Sequence, residues 1–181
     1  MPDNNYAMDS PMTPTAALAG EFILPPEKLR DDHVLAQERL AFRVGALGML
    51  FPTHAGREVV LPPPVSRLPH LPEWLAGVAN VRGMLLPVVD LAIALELRRA
   101  PAPRPYLLIC GAGEDAVGFL IDGLPLPLSF EASERMHGLP PHPAILTGHV
   151  FGAYERDANV WLDLNSESLL RSLGERVAAR P

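Results

Sequence analysis

The chain has 181 residues, 48% of them hydrophobic, and a formal net charge of −6. That is room for one domain, or one domain of two small lobes, with enough apolar content for a sizeable core. The acidic balance and the lack of any lysine or arginine run argue against a dedicated nucleic-acid binder.

Residues 1–20 (MPDNNYAMDSPMTPTAALAG) are small, polar and proline-bearing, and read as a disordered tail. Residues 21–38 form an N-terminal extension in which Leu29, Val34 and Leu35 of one or two helical turns would pack on the main body. The pattern changes at Arg39. RLAFRVG alternates, with Leu40, Phe42 and Val44 on one side and Ala41 and Arg43 on the other, which is a half-buried strand. Gly45 to Gly48 is a turn, MLFPT (49–53) the return strand and EVVLP (58–62) a third. The proline-rich run 62–74 is expected to hold no regular element, because each proline removes a donor and restricts its predecessor.

WLAGVANV (74–81) leads into a strand, Gly83 makes a tip and MLLPVVDL (84–91) returns. Pro87 within it points to an edge or a bulge. Asp90 is placed to cap a short helix over 91–97. Beyond a linker at 98–105, YLLIC (106–110) and AVGFLID (116–122) form a hairpin around GAGED. Residues 123–133 continue extended and 136–145 form a proline-stiffened loop. LTGHVFGAY (146–154) and NVWLDL (159–164) make a last strand pair. A C-terminal helix over 166–179 carries Leu169, Leu170, Leu173 and Val177 on one face. Eight or nine short strands in two groups, two short helices and 21 prolines exclude a helical bundle and point to an all-β protein of two small barrels.

No apolar run reaches the roughly 18 residues that a membrane span needs, and the N-terminus lacks a secretory pattern. The one cysteine, Cys110, can form no internal disulfide, which fits a reducing compartment, most simply the cytoplasm. Cys110 reads as a small buried hydrophobe rather than a nucleophile. Only His137 and His142 are close among six histidines, and Pro140 and Pro141 between them spoil a helical metal pair. Asp90 and Asp122 each end an apolar strand, where a cap and a turn explain them. No catalytic, metal or cofactor site assembles, and nothing pairs a nucleophile with a base. That leaves binding. Trp74 and Trp161 are core residues or interface anchors, and Arg82 at its hairpin tip is either solvated or offered to a partner.

The stretch LPHLPEWLAGVANVRGMLLPVVDLAIALEL (68–97) resembles the signature of the CheW-like family, adaptors of bacterial chemosensory arrays, with its G-V-x-N-x-R-G turn and L-P-V-x-D-L return strand. FRVGALGMLFPTHAGREVV (42–60) is similar to the family's opening hairpin, and AVGFLIDGL (116–124) to its V-G-x-x-V-D strand. TGHVFGAYERDANVWLDLNSESLL (147–170) resembles its closing strand pair and helix, so a CheW-like domain is expected over 39–178. Gly56 departs from the pattern, standing where a larger apolar residue is usual.

The resemblance implies a fold of two five-stranded SH3-like β-barrels with short helices, and a non-enzymatic scaffold without a cofactor. Its implied partners are a chemoreceptor's cytoplasmic tip, the regulatory domain of a CheA-type histidine kinase, and other CheW-like domains in array rings. By the same resemblance Glu58, Val59, Asn80, Val81, Arg82 and Gly83 lie in the partner-binding region, and Ile121 and Asp122 beside the receptor groove. The G-V-A-N-V-R-G variant, the N-terminal extension and the last-strand tryptophan resemble the branch that serves type IV pilus twitching motility. The alternatives are a flagellar chemotaxis adaptor and, from another class, a small-barrel nucleic-acid-binding protein.

Overall fold

The computed structural model describes residues 38–98 and 104–178, so the expected tail and all but the last residue of the expected extension lie outside the described residues. Five strands, β1 (Arg39–Val44), β2 (Leu47–Pro52), β9 (Leu126–Leu128), β10 (Val150–Arg156) and β11 (Asn159–Leu164), form one sheet in the order β10-β11-β2-β1-β9. The other holds β3 (Gly56–Val60), β4 (Val65–Ser66), β5 (Leu75–Val81), β6 (Met84–Asp90), β7 (Pro105–Cys110) and β8 (Val117–Asp122), in the order β3-β7-β8-β6-β5-β4. Among the described residues there are also two helices, α1 (Leu91–Ala94) and α2 (Ser166–Ala178), and single turns of 3-10 helix.

Two strands beyond the expected count are short ones that alternation is too brief to signal. β4 lies inside the run expected to be irregular. The proline run ends at Pro64, so Val65 and Ser66 keep their N–H groups and pair opposite Ala79 and Val78. This makes the second sheet six-stranded rather than five. β9 pairs only Leu126–Leu128 with β1. The first turn is also tighter than expected, since β2 already begins at Leu47.

Pro87 sits in a strand that is an edge for only half its length. β6 pairs with β5 along its whole run, but its parallel pairing with β8 starts at Val88 opposite Gly118. No third strand flanks β6 at Pro87, so the missing donor costs the sheet little. Asp90 caps α1 as expected, its Oδ1 accepting from the N–H groups of Ala92 (3.0 Å) and Ile93 (3.2 Å).

One core serves both sheets. Phe42, Val44, Met49, Phe51, Leu162 and Leu164 from the first sheet pack with Val89, Leu108, Cys110, Phe119 and Ile121 from the second. Leu91 and Leu95 at α1, and Leu169 and Leu173 on α2, seal it. A second cluster of Ala79, Val81, Leu86, Val88, Leu107 and Ile109 fills the interior of the six-stranded sheet. A third, of Ala41, Leu50 and Phe130, backs the five-stranded one. At the departure noted above, Gly56 leaves room that the Leu40 side chain fills.

The five-stranded sheet rolls up through the chain that follows β9. Phe130 stacks on Tyr154 of β10 at 4.8 Å, and the Met136 N–H donates to the Ala153 carbonyl at 2.9 Å. Arg156 grips Glu134 with two bonds, Nε to Oε1 at 2.5 Å and the terminal nitrogen to Oε2 at 2.7 Å. Glu134 also accepts from the Glu131 N–H, and together these hold its carboxyl down at about 2. The Arg156 guanidinium lies over Phe130 at 4.4 Å. At the start of β1, Arg39 reaches Asp163 on β11 at 3.1 Å, where burial pushes the carboxyl up and the arginine opposes that shift.

Because the Glu134 pKa is depressed in the fold, its contribution is full above the pKa of the unfolded chain and is lost as pH falls towards about 2. Acid titration should therefore loosen the closure of this sheet over that window, read as a change in Tyr154 and Trp161 fluorescence. Glu134→Gln should lose that acid-dependent step. An unchanged titration in the variant would contradict this assignment.

Candidate partner-binding site

The turn between β5 and β6 is two residues long. Arg82 (φ 53°) and Gly83 (φ 86°) are both left-handed, the pattern of a type I′ hairpin. Glycine takes that conformation freely. An arginine does so at a cost of about 1 kcal/mol, and Asn or Asp is the usual choice. Asn80 supports the turn, its Oδ1 accepting from the Gly83 N–H at 2.8 Å.

Arg82 reaches Glu58 on β3 at 2.7 Å. In the sheet order three strands lie between β3 and β5, so this contact requires the six-stranded sheet to be rolled. A bulge at Arg57, where the β3–β7 register shifts between Gly56 and Glu58, aims the glutamate. The arginine side chain is 79% exposed and meets Glu58 as a single ion contact, so the pair is worth at most about 1 kcal/mol to the fold. Beside the tip, Leu85 is 71% exposed and Met84 partly so. Leu86 and Val88 face the barrel interior, which turns Leu85 outward opposite Asn80.

The structure brings Glu58, Asn80, Arg82 and Gly83 together at one tip. It puts the Val81 side chain in the barrel interior and packs half-buried Val59 against the shared core. Ile121 is fully buried in that core, so its side chain serves packing rather than contact. Asp122 is on β8, its Oδ2 accepting from the Gly45 N–H at 2.6 Å. Met84 and Leu85 were missed in the sequence reading. For Leu85 the signal was there, since strand alternation around Leu86 and Val88 leaves it pointing at water, whereas Met84 shares their parity and is exposed because it borders the turn.

The chemical candidates fall into structural roles. Burial raises the Cys110 thiol to about 12, which makes it inert. His149 Nδ1 and Ser168 Oγ are 2.6 Å apart, and with the Asn165 Oδ1 cap on the Ser168 N–H at 3.0 Å they pin the first turn of α2. His142 Nδ1 bonds the Pro140 carbonyl within its loop at 2.9 Å. Among the described residues no group of three potential ligands is placed to hold a metal ion. Trp161 lies beneath the Arg43 guanidinium at 4.7 Å, and the Trp74 carbonyl accepts from the Asp90 N–H at 2.7 Å. Among the described residues no helix is long and apolar enough to cross a membrane.

Two rolled sheets on a common core, with a charged and apolar hairpin tip facing water, define a protein that works by contact. The family model for the CheW-like domain matches residues 38–174, and the chain belongs to that family. It is a non-enzymatic scaffold of chemosensory signalling. Protein PilI of Pseudomonas aeruginosa is 29% identical over 80% of this chain and 82% of its own length. Protein FrzA of Myxococcus xanthus is 28% identical over 80% of this chain and 91% of that one. A probable chemotaxis protein CheW of Rhizobium etli is 33% identical, over 49% of this chain and 57% of that protein. The scaffolding protein TtCheW of Thermoanaerobacter tengcongensis has the same fold, with a TM-score of 0.61 at 16% identity over 75% of this chain and 92% of that one.

Arg82→Asn should leave stability within about 1 kcal/mol of wild type in urea unfolding, because relief of the turn offsets the lost ion pair. A loss above about 2 kcal/mol would make Arg82 a structural residue, since surface changes rarely cost that much.

Proposed function

We propose that this chain joins the cytoplasmic tip of a chemoreceptor to the regulatory domain of a CheA-type histidine kinase in the system that controls type IV pilus twitching motility. The observation that carries the reading is the hairpin tip. Arg82 occupies a conformation that costs the fold energy, and it makes one solvent-open ion pair with Glu58 in return. A residue held there against backbone preference is available to a partner. Glu58, Asn80, Arg82 and Gly83 would set specificity and on-rate, while Leu85 and Met84 would supply apolar anchoring.

Membership of the family supports kinase and receptor as the partner classes, and other CheW-like domains as neighbours in rings. The pilus branch is favoured because the similarity to PilI runs along four-fifths of both chains, whereas the CheW of Rhizobium etli aligns over about half of this one. The chain carries no chemistry in this scheme. It biases the conformational equilibrium of the kinase by binding one of its states better than the other.

Purified chain should bind the kinase regulatory domain and the receptor tip in titration calorimetry. Arg82→Asn, folded as wild type, should weaken at least one of them about tenfold, equivalent to 1.4 kcal/mol. In the source organism, deletion should abolish twitching zones and leave swimming intact. Binding to neither partner would overturn the adaptor reading, and loss of swimming alone would overturn the pilus assignment.

A further inference from the structure

β10 is an edge of the five-stranded sheet. On its outer side the chain after β9 begins to pair with it. Arg135 bridges to Tyr154, and the Met136 N–H donates to the Ala153 carbonyl at 2.9 Å. Continued in that register, His137 would face Gly152 and Gly138 would face Phe151. Among the described residues no backbone bond joins these pairs. Pro140 and Pro141 follow, and their missing donors end the ladder early. A Cβ on Gly138 would meet nothing within 4 Å. The parting leaves a slot of about 470 Å³ between β10 and residues 137–139.

The walls of this slot are apolar and positive. The β10–β11 register shifts between Val150 and Gly152, which makes Phe151 the bulged residue. Phe151 is 60% exposed and Leu139 50%. Both line the slot together with Arg135 and His137, and none of the described residues lining it is acidic. The Arg135 guanidinium lies against Gly152, 3.6 Å from where a Cβ would stand. Asp163 feels its charge, but that carboxylate is already paired with Arg39 at 3.1 Å. Among the described residues no carboxylate is in ion-pair contact with Arg135. The slot is thus locally positive on a chain of net charge −6.

Three features meet here. An unpaired strand edge is a template for another strand. An exposed aromatic favours apolar contact. A guanidinium without an acid favours a carboxylate, which it can hold by two parallel bonds. An extended chain answers all three at once, its backbone pairing with the edge and its side chains supplying the rest. We infer that this slot binds an extended segment of a partner protein, which adds as a strand to the β10 edge and carries an acidic residue for Arg135 close to a large apolar one for Phe151 and Leu139. The site lies on the other sheet from the Arg82 tip and does not depend on the adaptor reading.

The test pans a phage-displayed library of short random peptides against the full chain, then follows a recovered peptide by NMR and titration. Recovered sequences should share an acidic residue close to a large apolar one, and the synthetic peptide should shift the amides of His137, Phe151 and Gly152. Arg135→Gln and Phe151→Ala should each weaken it about tenfold, and Arg82→Asn should leave it unchanged. Methylating alternate backbone nitrogens of the peptide should abolish binding in one phase of the alternation and spare it in the other, as pairing along a strand edge requires. No recovered peptide, sequences without an acidic bias, shifts confined to other residues, or unchanged binding in either variant would each overturn the inference. Phe151 is a surface side chain, so if Arg135→Gln does not fold, Phe151→Ala decides alone.

Discussion

Phe51 of the five-stranded sheet sits edge-on between two rings, Phe42 beside it at 4.9 Å and Phe119 of the six-stranded sheet at 6.1 Å. This aromatic row crosses from one sheet to the other, and the largest cluster of buried side chains is built round it. Sheets of such short strands have little interior of their own. Among the described residues the six-stranded sheet encloses six buried side chains and the five-stranded sheet three, so most of the driving force lies in the layer they share. Both helices are spent on sealing that layer. The consequence for function is geometric: surfaces on the two sheets are held at one fixed spacing.

Each sheet is closed by an arginine and a glutamate, and the two closures differ in kind. Arg156 and Glu134 make paired bonds, backed by a capping interaction and a ring. Such a pair is fully committed to the fold. Arg82 and Glu58 touch once, on a turn of unfavourable conformation, with the guanidinium mostly in water. A weakly held charge beside exposed Leu85 suits exchange between an internal partner and an external one. The same ionic motif thus serves closure on one barrel and, in the proposed function, recognition on the other.

Much of this was legible in the sequence. Alternation from Arg39 onwards marked the long strands, the dense prolines ruled out a bundle, and Asp90 marked the start of α1. The motif around Asn80 to Gly83 located the tip. Two things were not legible. Strands of two or three residues, β4 and β9, have no periodicity to read and exist through their neighbours. The fates of Val81 and Ile121 depend on which face of a rolled sheet is inside, and here both faces of several strands are covered, so a match to a binding motif did not separate packing from contact. The ion pair of Arg82 with Glu58 joins strands far apart in sheet order, and no local pattern announces it.

The account stands on the two sheets forming one cooperative body. Native-state hydrogen exchange under increasing urea tests this most directly, comparing the amides of Met49 and Phe51 on β2 with those of Leu108 and Phe119 on β7 and β8. A shared core predicts that all four converge on one opening free energy, equal to that of global unfolding. Two separate isotherms, with one sheet opening while the other stays protected, would contradict it and make the barrels independent modules.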